Sequence, residues 1–210
     1  MNTEVFQRLA DIRIVPVIAI DDAAQALPLA DALAAGGLPL AEITFRTPAA
    51  EAAIRAIASE RPGFLVGAGT VLDPDTARRA QDAGARFAVA PGLNPRVVQT
   101  ALDIGLPFVP GVATPSDIEQ GLEFGLRLLK FFPAEALGGV KLLSAMYAPY
   151  KHTGVKFMPT GGVKPDNLAS YLACPAVAAV GGTWLAKPAD IAEGKWGDIS
   201  ARCAAVSPVF

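Results

Sequence analysis

Eight short β-rich apolar runs with helix-length stretches between them predict an α/β protein, folded as a single-domain (β/α)8 TIM barrel over residues 1–210. Three observations carry this expectation: the alternation itself, the proline and glycine punctuation between its units, and a length that one such barrel commonly occupies.

The runs lie at 14–20, 40–45, 64–68, 87–90, 108–112, 126–131, 156–159 and 177–180. Ala- and Leu-rich stretches at 22–35, 49–59, 75–83 and 96–104 have the length and composition of crossover helices. Pro48, Pro74, Pro95, Pro115 and Pro165 stand near first turns, where a missing N–H does no harm. Gly36, Gly84, Gly105 and Gly125 stand where helices should end. Parallel strands joined by helices bury both sheet faces, and eight such units close more naturally into a barrel than into an open doubly wound sheet. No GxGxxG turn follows the first strand to favour the open sheet. The stretch 3–11 predicts an extra helix capping the bottom of the barrel, and no linker, low-complexity segment or second domain interrupts the pattern.

Hydrophobic residues make up 52% and charged residues 18%, without an apolar run long enough to cross a bilayer. A net charge of -2 and a pI near 5.4 come without a basic block, so neither nucleic acid nor an anionic membrane is an expected partner. The segment MNTEVFQRLADIR lacks the apolar core and cleavage site of a signal peptide, which predicts a cytoplasmic protein. Cys174 and Cys203 are far apart and outside any CxxC spacing, so free thiols are expected rather than a disulfide framework or a zinc cluster. The one histidine, His152, sits in a polar stretch and supports neither a Ser/His/Asp triad nor a multi-histidine metal site. Neither a metal nor a cofactor is expected.

Alternate residues of a strand share a face, so Leu40, Glu42, Thr44 and Arg46 point one way. Glu42 and Arg46 thereby share a polar face with Cα atoms roughly 13 Å apart, which leaves room for a small substrate between their side chains. The pattern equally suits an interior ion pair at Glu42 and a solvated charge at Arg46. In LRLLKFFPAE, Lys130 ends an apolar strand; desolvation there favours the neutral amine, the form that attacks a carbonyl to make an imine. A lysine whose stem packs on apolar surface while its head reaches water fits the same residues. Gly161-Gly162 and Gly181-Gly182 follow the seventh and eighth strands, the latter pair leading into Thr183. Loops there form the usual phosphate site of this barrel, although glycine at a strand end is also ordinary turn punctuation.

Taken together, EITFRT, GAGTVL, APGLNP, PGVATPSD, LKFFPAE, PTGGV and GGTWL resemble, in order and separation, the motifs of the bacterial 2-keto-3-deoxy-6-phosphogluconate (KDPG) aldolases, a class I family that includes 4-hydroxy-2-oxoglutarate aldolases. The resemblance runs from about Ile14 to Leu185, and LKFFPAE with PTGGV is its most specific part. It implies that Lys130 forms a Schiff base, that Glu42 moves protons, and that Arg46 with Thr70 holds the pyruvoyl carboxylate. Pro91 and Thr160 would contact substrate, while Gly161, Gly162, Gly181, Gly182 and Thr183 would cradle a phosphate. Thr183 stands where relatives often carry serine, which keeps the hydroxyl and adds a methyl. The resemblance further implies a homotrimer acting on a small-molecule phosphorylated 2-keto acid. An aldolase for the C4-epimeric substrate, or a barrel isomerase working through Glu42 alone, remains an alternative on the same residues.

Overall fold

The computed structural model describes residues 3–207. Helix α1 (Thr3–Ile12) feeds straight into strand β1 (Ile14–Ile18) through Arg13, whose φ of 65° turns the chain within one residue. A 3-10 turn at Ala23–Gln25, capped by Asp22, opens α2 (Ala26–Ala35), and β2 (Leu40–Thr44), α3 (Ala50–Glu60), β3 (Leu65–Gly69), α4 (Pro74–Asp82), β4 (Ala88–Val89) and α5 (Pro95–Asp103) continue the alternation. Strands β5 (Phe108–Val109) and β6 (Gly111–Val112) precede α6 (Pro115–Glu123) and β7 (Leu128–Phe131). Helices α7 (Ala134–Leu137) and α8 (Gly139–Tyr147) and a 3-10 segment at Ala148–Thr153 lead to β8 (Lys156–Pro159). The chain then runs through α9 (Pro165–Leu172), β9 (Val180–Gly182), α10 (Pro188–Ala192) and α11 (Trp196–Ala204).

Local chemistry accounts for the helix ends. Asp73 caps α4 by accepting the Thr76 N–H at 2.8 Å, Asn94 caps α5, and Thr114 with Asp117 closes a reciprocal box at the start of α6. Each of these helices carries proline in its first turn. Gly84, Gly105 and Gly125 follow their helices with φ of 93°, 71° and 74°, the left-handed geometry in which the chain leaves a helix most cheaply.

All strand pairings are parallel, in one sheet ordered β5-β4-β3-β2-β1-β9 and a second ordered β6-β7-β8. A single hydrophobic cluster fills the interior, with Phe87, Phe108, Phe131 and Phe157 among its largest fully buried side chains. Burial of each such ring stabilises the fold by about 1.5–3 kcal/mol. No helix among the described residues is long and apolar enough to cross a membrane.

Most runs differ from the observed strands by trimmed or shifted ends, as 14–20 against Ile14–Ile18 and 126–131 against Leu128–Phe131, and two differ by more. The run 108–112 is divided at Pro110, which has no N–H to contribute to a ladder; its carbonyl instead accepts the Lys130 N–H at 2.8 Å, and the chain beyond it pairs with β7. The run 177–180 is displaced toward the C-terminus, so Gly181 and Gly182 lie inside β9, opposite Val15 and Pro16, and not after the strand. Glycine is accepted there because side chains from elsewhere fill the space. A Cβ on Gly181 would approach Thr160 Cγ2 to 3.0 Å, and one on Gly182 would meet the Trp184 ring at 2.5 Å.

Candidate active site

Glu42 occupies the middle of β2, in register with Val17 of β1 and Gly67 of β3, and only 1% of its surface is exposed. Lys130 lies on β7 between Gly111 of β6 and Met158 of β8, and is 5% exposed. The structure brings these two residues together, with Lys130 Nζ 3.5 Å from Glu42 Oε1. Lys130 therefore does not snorkel; its head group is buried with its stem. Glu42 is indeed part of an interior ion pair. The pair leaves one atom unaccounted for, because the buried Oε2 of Glu42 has no hydrogen-bond partner among the described residues. A buried carboxylate oxygen without a donor is costly, and such an atom is suited to receive a proton from a molecule that enters the site.

Sequence motifs that look like turn punctuation shape this pair. A Cβ on Gly69 would overlap Glu42 Oε1 and lie 2.7 Å from its Cγ and 2.8 Å from its Cδ. The second glycine of GAGT thus makes room for the carboxylate. Gly111, opposite Lys130, is similarly required by the backbone of Pro91, which packs where its Cβ would stand. This places Pro91 against the strand beside Lys130. Replacing Gly69 with Ala is expected to displace the Glu42 carboxylate and lower kcat by roughly 10²-fold, the scale on which small misplacements act. Steady-state turnover checks this, and unchanged kcat in that variant would mean that the carboxylate needs no such room.

Phe132 is a member of the site for which the sequence held little signal, since its place in the FF doublet reads as strand. Its ring centroid lies 5.4 Å from Lys130 Nζ, close enough for the π face to favour a cation at that nitrogen.

Arg46 and Thr70 line one cavity of about 390 Å³ beyond the ends of β2 and β3, together with Phe45 and Thr47. Arg46 Nε donates to Thr44 Oγ1 at 3.1 Å, and that hydroxyl donates to Ile18 O at 2.9 Å. Thr70 has a φ of 57°, a left-handed conformation that costs a β-branched residue about 1–3 kcal/mol and is held where the surrounding structure requires it.

Thr160 is 3% exposed and bridges in parallel to Gly181, which sets the two glycine pairs side by side. Gly161 and Gly162 have φ of 97° and 81°, and exposed Thr183 follows β9. Among the described residues, no group of three or more His, Cys, Asp and Glu side chains converges to hold a metal ion. His152 is exposed, and Cys174 and Cys203 are free and buried, with burial pushing the Cys203 thiol up to about 11.

The chain matches the family described as "Aldolase: KDPG and KHG aldolase" over residues 5–202. It is 47% identical over 197 residues to the 2-dehydro-3-deoxy-phosphogluconate aldolase of Treponema pallidum, covering 94% of this chain and 93% of the relative. A crystal structure of KDPG aldolase from Legionella pneumophila, with pyruvate captured as a covalent carbinolamine, superposes with a TM-score of 0.94 at 39% identity, over 99% of this chain and 100% of that one. The Zymomonas mobilis enzyme with 3-phosphoglycerate superposes at 0.87 with 41% identity, over 98% and 95% of the two chains. On the strength of these matches, the chain belongs to the KDPG and KHG aldolase family.

Proposed function

We propose that this protein cleaves 2-keto-3-deoxy-6-phosphogluconate reversibly to pyruvate and D-glyceraldehyde 3-phosphate, as a class I aldolase whose imine forms on Lys130. The observation that carries the assignment is a buried lysine amine 3.5 Å from a buried carboxylate with one oxygen unpartnered. The carbinolamine in the Legionella structure and the 3-phosphoglycerate in the Zymomonas structure support a covalent pyruvate chemistry and a phosphorylated sugar-acid substrate.

In this reading the Lys130 ammonium gives a proton to Glu42, the resulting amine adds to the C2 carbonyl, and Glu42 returns that proton as the hydroxyl leaves as water, so that a protonated imine withdraws electrons from the C3–C4 bond. The π face of Phe132 stabilises the cation at that nitrogen. Glu42 takes the proton of the C4 hydroxyl through its open oxygen, C3–C4 breaks, and D-glyceraldehyde 3-phosphate departs from an enamine of pyruvate. The same carboxyl then returns a proton to C3, directly or through a water, and hydrolysis frees pyruvate and the lysine. Arg46 and Thr70 hold the pyruvoyl carboxylate, Pro91 and Thr160 contact the carbon chain, and Gly161, Gly162, Gly181, Gly182 and Thr183 receive the phosphate.

The frame that supports this arrangement is a one-domain, closed eight-stranded (β/α)8 barrel with α1 as its extra helix. In it β5 and β6 are halves of one strand, and the Phe157–Val177 and Thr160–Gly181 bridges join β8 to β9. Arg46 and Thr70 then lie beyond the carboxyl ends of their strands, where such barrels place their substrate sites. A cytoplasmic homotrimer completes the proposal.

Borohydride reduction in the presence of pyruvate tests it. Reduction converts a hydrolysable imine into a stable secondary amine, so pyruvate is expected to become fixed irreversibly at Lys130, read by peptide mass mapping. Absence of label, or label on another lysine, overturns the assignment and favours an isomerase that works through Glu42 alone.

A further inference from the structure

The glutamate of LKFFPAE takes no part in the chemistry above, yet the Gly161-Gly162 turn is seated on it. The Glu135 N–H donates to Gly161 O at 3.0 Å. A Cβ on Gly162 would lie 2.6 Å from Glu135 Cβ and 2.8 Å from its Cγ, so the turn rests against the stem of that side chain. The carboxylate end is directed elsewhere. Its Oε1 accepts a hydrogen bond from the hydroxyl of Tyr171, a residue of α9 with no exposed surface. Gly139 closes the other side, where a Cβ would stand 2.9 Å from Glu135 Oε1 and 3.4 Å from Tyr171 Oη. Asn167, also on α9, donates from Nδ2 to Gly162 O at 3.3 Å. One helix thus holds the carbonyl of the turn and the acid beside it.

An anionic side chain against a phosphate-binding turn is a hazard. A carboxylate accepts hydrogen bonds from backbone N–H groups as a phosphate does, and it repels a phosphate dianion at short range. Burial, and secondarily the bond to Glu135, push the Tyr171 phenol far above its ordinary value, so it stays a donor throughout the working pH range.

We propose that Tyr171 is a positioning residue for phosphate recognition: its buried hydroxyl holds the Glu135 carboxylate off the Gly161-Gly162 turn and leaves the turn's N–H groups free for the substrate phosphate. The proposal rests on the assignment of the glycine pairs to the phosphate, and the experiment separates the two.

Steady-state cleavage of 2-keto-3-deoxy-6-phosphogluconate and of unphosphorylated 2-keto-3-deoxygluconate is measured for wild type, Tyr171→Phe, Glu135→Asp and the double variant Tyr171→Phe/Glu135→Gln, with inorganic phosphate as competing probe. Tyr171→Phe releases the carboxylate. Glu135→Asp places a carboxyl carbon where Cγ now touches the turn, and offers the same readout on an exposed residue should the buried substitution impair folding. Both are expected to raise KM for the phosphorylated substrate about fivefold or more, with a matching rise in the inhibition constant of phosphate and kcat within about twofold of wild type. Kinetics on the unphosphorylated substrate stay as in wild type, and the double variant, which has no charge to release, returns KM toward the wild-type value. A double variant as weak as Tyr171→Phe overturns the proposal and leaves the tyrosine a packing role. So does an unchanged KM in both single variants. Wild-type enzyme that shows no preference for the phosphorylated substrate and no inhibition by phosphate overturns the phosphate assignment itself, and this proposal with it.

Discussion

Substituting Ala for Lys130 is expected to remove pyruvate trapping altogether and to lower kcat/KM for the phosphorylated substrate by at least about 10⁴-fold, which corresponds to roughly 5 kcal/mol of transition-state stabilisation. The size of the effect follows from the imine proposed at Lys130: without it no cation exists to accept the electrons of the breaking C3–C4 bond. Removal of the ammonium also strands the buried Glu42 carboxylate, whose Oε1 has Lys130 as its ion-pair partner at 3.5 Å. A thermal melt distinguishes the two consequences. Loss of turnover in a protein that still melts cooperatively, at a temperature lowered by the stranded carboxylate, is the expected outcome, whereas turnover within about tenfold of wild type would remove Lys130 from the reaction.

The second large effect is expected at Glu42. Glu42→Gln preserves the shape of a side chain that fits the space left by Gly69, but an amide cannot carry a proton between the C4 hydroxyl and C3. Turnover should fall by about 10²–10⁴-fold, the range over which general acid–base groups act. Pyruvate should still be trapped at Lys130, more slowly, while exchange of the pyruvate methyl protons with deuterated solvent, followed by NMR, should be lost with the turnover. Exchange at the wild-type rate in this variant would assign the proton transfer to another group.

Both residues of this buried pair stand out as candidates in the sequence, for different reasons. Lys130 stands out because a charged residue at the end of an apolar strand is chemically conspicuous, and Glu42 because strand alternation sets it on the face shared by Thr44 and Arg46. Their contact was not legible, since they lie 88 residues apart and meet only through tertiary packing. The same limit governs the strand outlines. Hydrophobic runs mark Phe108 to Val112 as one strand, and only the absence of a donor on Pro110 divides it. Gly181 and Gly182 resemble an end to β9 until Thr160 and Trp184 are seen to occupy the space that side chains there would need. Phe132 and Glu135 passed unnoticed in LKFFPAE for a related reason. Their neighbours in space, Lys130 Nζ for the one and Tyr171 with the Gly162 turn for the other, follow from the fold and from no local spacing.

The absent side chain at Gly69 also constrains how this site can change. Because the Glu42 carboxylate occupies the volume that a methyl group at position 69 would claim, residues 42 and 69 behave as one steric unit divided between two strands. A larger residue at either position is blocked while the other is unchanged, so remodelling of the pocket at this wall must proceed through coupled substitutions whose separate effects do not add. A change at either wall alone is then expected to cost turnover that a matched change at the other could restore.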